Sequence, residues 1–440
     1  METTIRDIEF ERATVRKVIV RLMPFLMVCY LLAFIDRGNI GMAALSMNHD
    51  LGISPQVFGF ASSLFFISYF FFEVPSNLAL QKFGARKWIA RIMITWGLVS
   101  AGTALVTGQT SLFVLRFLLG AAEAGFFPGV LLYMTYWIPS AYRARIIAIF
   151  MVSIPMASFI GSPVSAMLMR LDGMMGLHGW QWLFILEGLP TVAMGLACLS
   201  FLTDRPEQAK WLSTEERGWL STQMERERSE KKLVAHVSLW KLFRSKEVLG
   251  MALVCSSASA AGTVLGVWQP QMIKSFGFSV MQTGLINSIP YALAAVLMVL
   301  WGRHSDRTGE RRWHTVIPLG LIAVGMLFTL LTASIVPTII LLSCVLIGAY
   351  SFKGPFWALS SGWLASGSAA AGLAGINAVS NLIGGGLMVN VYGWIKASTG
   401  SYALALLPIA ALSLVSVTIL LVLSRSAAKA ARISTVKAAA

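Results

Sequence analysis

Along this chain of 440 residues, long apolar runs alternate with short polar connections from residue 22 to residue 423. A helix rising 1.5 Å per residue needs about 20 residues to cross the hydrocarbon core of a bilayer. Twelve runs meet that length: 22–44, 56–80, 88–107, 111–135, 146–169, 181–202, 249–271, 280–301, 314–334, 338–361, 372–395 and 402–423. In lipid a helix satisfies its own backbone hydrogen bonds, so the expected fold is an all-α membrane protein with twelve transmembrane helices. The one long polar stretch, 203–247, separates a six-helix bundle in 1–202 from a second in 248–440. Within it, Ser213-Thr214-Glu215-Glu216 reads as a capping box opening a helix. Arg226, Arg228, Lys231 and Lys232 suit the negative end of that helix. A short interfacial helix is expected over 238–243.

A shift of 225 positions superposes the two halves. Gly52, Ser54 and Gly59 meet Gly277, Ser279 and Gly284, and Gly84, Arg86, Lys87 and Trp88 meet Gly309, Arg311, Arg312 and Trp313. Ser54 and Ser279 stand where an N-cap would open the second helix of each half, with Pro55 at the first helical position. Two parallel repeats place a binding site at their interface, near the middle of the membrane.

Composition agrees with lipid as the solvent, since 56% of the residues are hydrophobic and 12% charged, against about 25% charged in soluble domains. The formal charge of +15 would suggest nucleic acid if it were clustered on a soluble surface. Instead it falls on one side of the predicted spans. Arg6, Arg12, Arg16, Lys17 and Arg21 precede the first span; Lys82, Arg86, Lys87 and Arg91 follow the second; Arg143 and Arg145 follow the fourth. Arg303, Arg307, Arg311 and Arg312 follow the eighth, whereas the opposite loops offer Arg170, Lys274 and Lys396. By the positive-inside rule both termini face the cytoplasm, so the charge reports topology and no nucleic-acid partner is expected. The four cysteines lie inside predicted spans, which argues against disulfides and metal, and no cleavable leader is visible.

These features resemble the major facilitator superfamily. Gly302-Arg303-His304-Ser305-Asp306-Arg307-Thr308-Gly309-Glu310-Arg311-Arg312 matches its loop signature between the second and third helices of a half. The first-half copy keeps Gly84, Arg86 and Lys87 but has Asn77 and Gln81 in place of the glycine and aspartate. Gly302 would permit a close helix crossing, and Asp306, Arg307, Gly309, Arg311 and Arg312 with Gly84, Arg86 and Lys87 would latch a cytoplasmic gate. Phe34–Gly41, Glu73–Asn77, Arg116–Gly129, Gly179–Phe184 and Gly354–Trp357 look like the anion:cation symporters of that superfamily. The resemblance implies a bacterial inner-membrane importer of carboxylates such as tartrate, phthalate, hydroxyphenylacetate or sugar acids. It implies the proton as co-transported ion, no other cofactor, and action as a monomer.

A charge at the bilayer centre costs about 3 kcal/mol on insertion scales, so each one asks for a reason. Asp36, Arg37, Glu73, Arg116, Glu123, Glu187 and Lys353 are the set. Helical rise puts Arg37 and Arg116 in one layer, with Glu123 two turns from Arg116 on the same face and near the midplane. Arginine offers a planar fork for carboxylates, so Arg37 and Arg116 suit a substrate anion. Glu123 and Asp36 are the candidate proton carriers. Adjacent residues point some 100° apart, so Asp36 and Arg37 need not share a site. Lys353, before Gly354-Pro355, could hold a second carboxylate or snorkel to the interface. Tyr69, Trp357, Asn377 and Asn381 are expected to complete the site. Glu187 and Glu73 are more simply structural, and the five histidines fall in loops or at helix ends, which argues against a buried histidine relay.

No nucleophile–base set or nucleotide loop appears, so an enzyme is not expected. Other readings stay open: an anion exchanger indifferent to protons, or a membrane sensor of the same ligand. A drug/proton antiporter is disfavoured because Gly161-Ser162-Pro163 interrupts the glycine–proline pair of that group.

Overall fold

The computed structural model describes residues 5–232, 245–363 and 369–439. Among them are twelve helices long and apolar enough to cross a membrane, and no strand. The first six spans are Asp7–Asp50, Pro55–Phe83, Ala85–Leu105, Gln109–Trp137, Ser140–Leu171 and Gly179–Phe201. The second six are Val248–Lys274, Val280–Thr308, Arg312–Thr329, Ile335–Ser361, Gly372–Thr399 and Leu404–Ser424. A linker helix, Thr214–Lys232, lies between the sets. The expected interfacial helix at 238–243 lies outside the described residues.

The packing repeats as the sequence does. In the first half the third span packs on the sixth, the second on the fourth and the first on the fifth; in the second half the ninth packs on the twelfth, the eighth on the tenth and the seventh on the eleventh. Ser54 Oγ accepts from the Val57 N–H at 3.3 Å, and Ser279 Oγ accepts from the Gln282 N–H at 3.2 Å, so each repeat opens its second span with a serine cap. The linker capping box is also formed: Glu216 N–H donates to Ser213 Oγ at 3.1 Å and Ser213 N–H to Glu216 Oε2 at 2.7 Å.

The halves meet through the first and seventh spans, the second and eleventh, and the fifth and eighth. The closest of these approaches lie toward the end opposite the termini, termed the far end. A Cβ on Gly41 would sit 2.8 Å from the Gly266 carbonyl oxygen, and one on Gly59 3.0 Å from Gly393 Cα. A Cβ on Gly284 would sit 2.7 Å from the Ser162 carbonyl oxygen. Asn287 Nδ2 donates across the same interface to Ser162 Oγ at 2.8 Å. At the other end, termed the basic end, two ion pairs join the first half to the linker. Lys17 pairs with Glu216 at 2.9 Å and Arg143 with Glu227 at 3.0 Å, both holding the linker helix to the first half.

Four spans are interrupted near the middle, the fifth by a one-residue turn at Val152. The fourth breaks at Ala124, which is extended, and Gly125, which takes φ +86° before a second helix opens at Phe126. The tenth turns at Phe352, just ahead of Pro355. The eleventh widens to a π-helix over Leu382–Leu387, where Gly384 lies against Ala260 and Gly385 against the Phe66 ring. Irregular backbone at this depth is tolerated only against protein or a cavity.

Candidate functional site

The first span delivers Asp36 and Arg37 to different faces, as their 100° separation allows. Asp36, 1% exposed, turns into the first half and accepts from Ser100 Oγ at 3.0 Å, Thr191 Oγ1 at 3.1 Å and Asn39 Nδ2 at 3.3 Å. Arg37 faces the fourth span, where its Nε and Nη2 each lie 2.6 Å from Glu123 Oε1. Both contacts fall on one oxygen. Glu123 Oε2 is buried with no hydrogen-bond partner among the described residues, which leaves it free to take a proton. Glu123 also ends the Gln109–Glu123 helix, whose carbonyl dipoles repel a carboxylate, so its charge depends on Arg37.

The Arg37 guanidinium is framed by the rings of Phe34, Tyr69 and Phe65, at 4.9, 5.3 and 5.5 Å from their centroids. Arg116 lies by the same Phe65 ring, 5.1 Å from its centroid. Arg116 is 2% exposed and lies within the field of Glu123, but makes no ion pair among the described residues, and its Nε has no hydrogen-bond partner. A buried charge without a partner is costly. Arg116 is therefore a cation waiting for an anion. Close helix contact makes the site possible, because Gly120, one turn past Arg116, abuts the Phe65 carbonyl and Ser68 Oγ.

The second half contributes less contact. Lys353 lies 5.2 Å from the Tyr350 centroid, makes no ion pair among the described residues, and is near enough to feel the charge of Arg37. It points inward and does not snorkel. Trp357 is half-buried with its ring edge-on to Phe356 at 5.1 Å. Asn377 is half-buried, one turn before Asn381, whose Oδ1 accepts from Ser259 Oγ at 3.5 Å. Asn381 thus spends its side chain on the seventh span. Glu73, a turn from Tyr69 toward the basic end, is half-buried and within the field of Arg37.

The predicted gate residues stay within their own halves. Asp306 pairs with Arg311 at 2.7 Å, and Arg311 Nη1 donates to Ser305 Oγ at 2.9 Å. Gly309 caps the eighth span at φ +66°, Arg307 and Lys87 are exposed, and Arg312 lies over Trp313 at 5.3 Å. The close crossing expected at Gly302 is absent: nothing comes within 4 Å of a Cβ there, because this end of the halves is the separated one. In the first-half loop, Asp204 of the linker supplies the carboxylate that Gln81 does not. Its Oδ1 accepts from the Arg86 backbone N–H at 2.8 Å and stands 3.0 Å from a Cβ on Gly84.

Two groupings escaped sequence reasoning. His314 is 7% exposed, and its ring joins Glu310 Oε2 and His304 Nδ1, each at 2.7 Å. The group lies at helix ends, as expected of the histidines, and the i,i+4 spacing from Glu310 was a usable signal for the pairing. The other is Glu187, whose neighbours across three spans no local pattern announces.

A family model described as the Major Facilitator Superfamily matches residues 26–359. A protein of Agrobacterium vitis named "Putative tartrate transporter" is 48% identical over 422 residues, 96% of this chain and 94% of that protein. A quinolone resistance transporter of Acinetobacter baumannii is 40% identical over 399 residues, 90% of this chain and 92% of that one. The fold is similar to that of a bacterial homolog of the human lysosomal transporter Spinster in an inward-facing, unoccupied conformation. That structure superposes with a TM-score of 0.76 at 16% identity, over 94% of this chain and 97% of the other.

Proposed function

Because the chain belongs to the major facilitator superfamily and is a multi-pass transporter rather than an enzyme, we propose that it imports a tartrate-like dicarboxylate by proton symport with alternating access. The observation that carries this reading is Arg116, buried without an anionic partner beside an Arg37 already committed to Glu123. The nearly half-identical tartrate-named relative supports the choice of acid. Three cations, Arg37, Arg116 and Lys353, face two carboxylates, Glu123 and Glu73. One proton on Glu123 leaves an excess of two positive charges, which a dicarboxylate dianion neutralises. Among these five groups and the substrate the charges then sum to zero, which lowers the electrostatic cost of crossing the bilayer centre.

The linkage follows from competition for one guanidinium. A substrate carboxylate that takes the Arg37 fork deprives Glu123 of the charge that sustains it, and Oε2 accepts a proton. Proton and anion then favour each other's binding. Tyr69, Trp357 and Asn377 line the site as contacts to the substrate; Asn381, held by Ser259, is a weaker candidate.

The lysines and arginines at the basic end support the reading of a bacterial inner-membrane protein with both termini on the cytoplasmic side. The conformation, sealed at the far end, is then inward-facing. Import requires the seal at Gly41, Gly59 and Gly284 to part while the loops carrying Asp306–Arg311 and Asp204 close.

Proteoliposomes holding the purified protein test this directly. An inward proton gradient should drive accumulation of labelled tartrate that a protonophore abolishes. Exchange of internal for external tartrate that ignores the gradient would make the protein an exchanger instead.

A further inference from the structure

Asp36 and Glu187 are a second pair of buried acids, set apart from the Arg37–Glu123 pair. Glu187, on the sixth span, is 5% exposed and accepts from Ser165 Oγ of the fifth span at 2.6 Å. Asn39, on the first span, is 1% exposed; its amide donates to Asp36 and also lies beside Glu187. Around Asp36 stand Ser100 of the third span and Thr191 of the sixth. Neither acid makes an ion pair among the described residues, and the next charge in range of Asp36 is the carboxylate Glu123.

Two atoms of this cluster lack partners. Glu187 Oε2 and Asn39 Oδ1 are buried acceptors with no hydrogen bond among the described residues. The network is therefore one donor short, and buried polar atoms of this kind are rarely left unpaired. A proton on Glu187 turns Oε2 into a donor and removes one of two like charges from a site without cations. Ser165 also lines a narrow cavity between the halves toward the far end, with room for about one water, together with Ser158, Ser162, Asn287 and Tyr291. Both halves form its wall, so parting them opens it to the far side.

We propose that Glu187 is a second proton-binding residue, loaded from this cavity through Ser165 and acting on Asp36 through Asn39. A proton reaching Ser165 Oγ forms a new O–H bond there while the original hydroxyl hydrogen passes to Glu187 Oε1, and rotation of the carboxyl then turns the new O–H toward Asn39 Oδ1, so one proton enters and Ser165 is regenerated. Glu123 answers to substrate; Glu187 answers to the compartment beyond the far end. The assignment rests on the symport reading above.

The test uses full-length protein in proteoliposomes with labelled tartrate and a trapped pH dye. Glu187→Gln should keep tartrate counterflow within twofold of wild type, while the proton-to-tartrate ratio falls by about one and the dependence of uptake on external pH flattens. Glu187→Asp should restore both. A Glu187→Gln protein with the wild-type ratio and external pH profile would overturn the proposal. If that variant fails to fold, Ser165→Ala carries the test: proton entry should slow at least threefold at unchanged counterflow, and unchanged entry would overturn it. Absence of proton flux in the wild type would instead sink the symport reading itself.

Discussion

Arg116 and Arg37 differ in what they lack. Arg37 has a carboxylate in contact and can exchange it; Arg116 feels Glu123 only at a distance and has its fork open to the substrate. Hydrogen bonds to charged groups contribute ~1.5–3 kcal/mol, and a lysine cannot reproduce the planar fork. Arg116→Lys should therefore weaken tartrate binding by about 10- to 100-fold, measured by calorimetry on purified protein. Lys353→Gln should cost tartrate more than a monocarboxylate competitor such as hydroxyphenylacetate; equal losses would remove Lys353 from the second carboxylate. At this scale the sequence was informative because a charge inside an apolar run needs a reason. That logic picked out Arg37, Arg116, Glu123 and Asp36. It could not show that Asp36 turns away to Ser100 and Thr191, because helix rotation is decided by packing with other spans. It also singled out Glu187, as a structural group, but not its pairing with Ser165 and Asp36, for the same reason.

Among the elements, the serine caps and the linker capping box were legible because they depend on residues within one turn. The breaks at Ala124–Gly125 and over Leu382–Leu387 were not, since glycine marks close packing and broken helix alike. The far-end seal is a property of paired helices, and it predicts what bulk will do. Overpacking costs about 1–3 kcal/mol. Gly41→Val should thus shift the halves toward parting at the far end by roughly 5- to 100-fold. Faster maleimide labelling of Ser162→Cys in that background would register it, and unchanged labelling would contradict the seal. The linker helix carries a pH dependence of known sign. Burial raises the Glu216 and Glu227 carboxyls, but the Ser213 and Ser140 N–H groups with Lys17 and Arg143 outweigh it and leave both below the ordinary value. Depressed carboxyls stabilise docking above their unfolded value, about 4.3, and that contribution is lost as pH falls through the lower, folded one. Hydrogen exchange should show the linker helix losing protection under acid before the spans do.

At the scale of the whole molecule, a 225-residue shift pairs Gly59 with Gly284 and also Gly41 with Gly266. The first two seal the second span on the eleventh and the eighth on the fifth; the last two touch each other between the first and seventh. The duplication was readable from sequence because each copy keeps its glycines. The charges break the symmetry, for the buried carboxylates all lie in the first half while Lys353 stands alone in the second. Coupling chemistry thus sits on one bundle, and the other supplies a wall that moves. The claim on which the account turns is that substrate displaces Arg37 from Glu123 and so draws in a proton. Tartrate titrated into purified protein, by calorimetry in buffers of differing ionisation enthalpy between pH 5 and 8, measures that step. The account predicts tighter binding as pH falls, with proton uptake on binding that Glu123→Gln abolishes. Affinity independent of pH, or the same uptake in the variant, would contradict it.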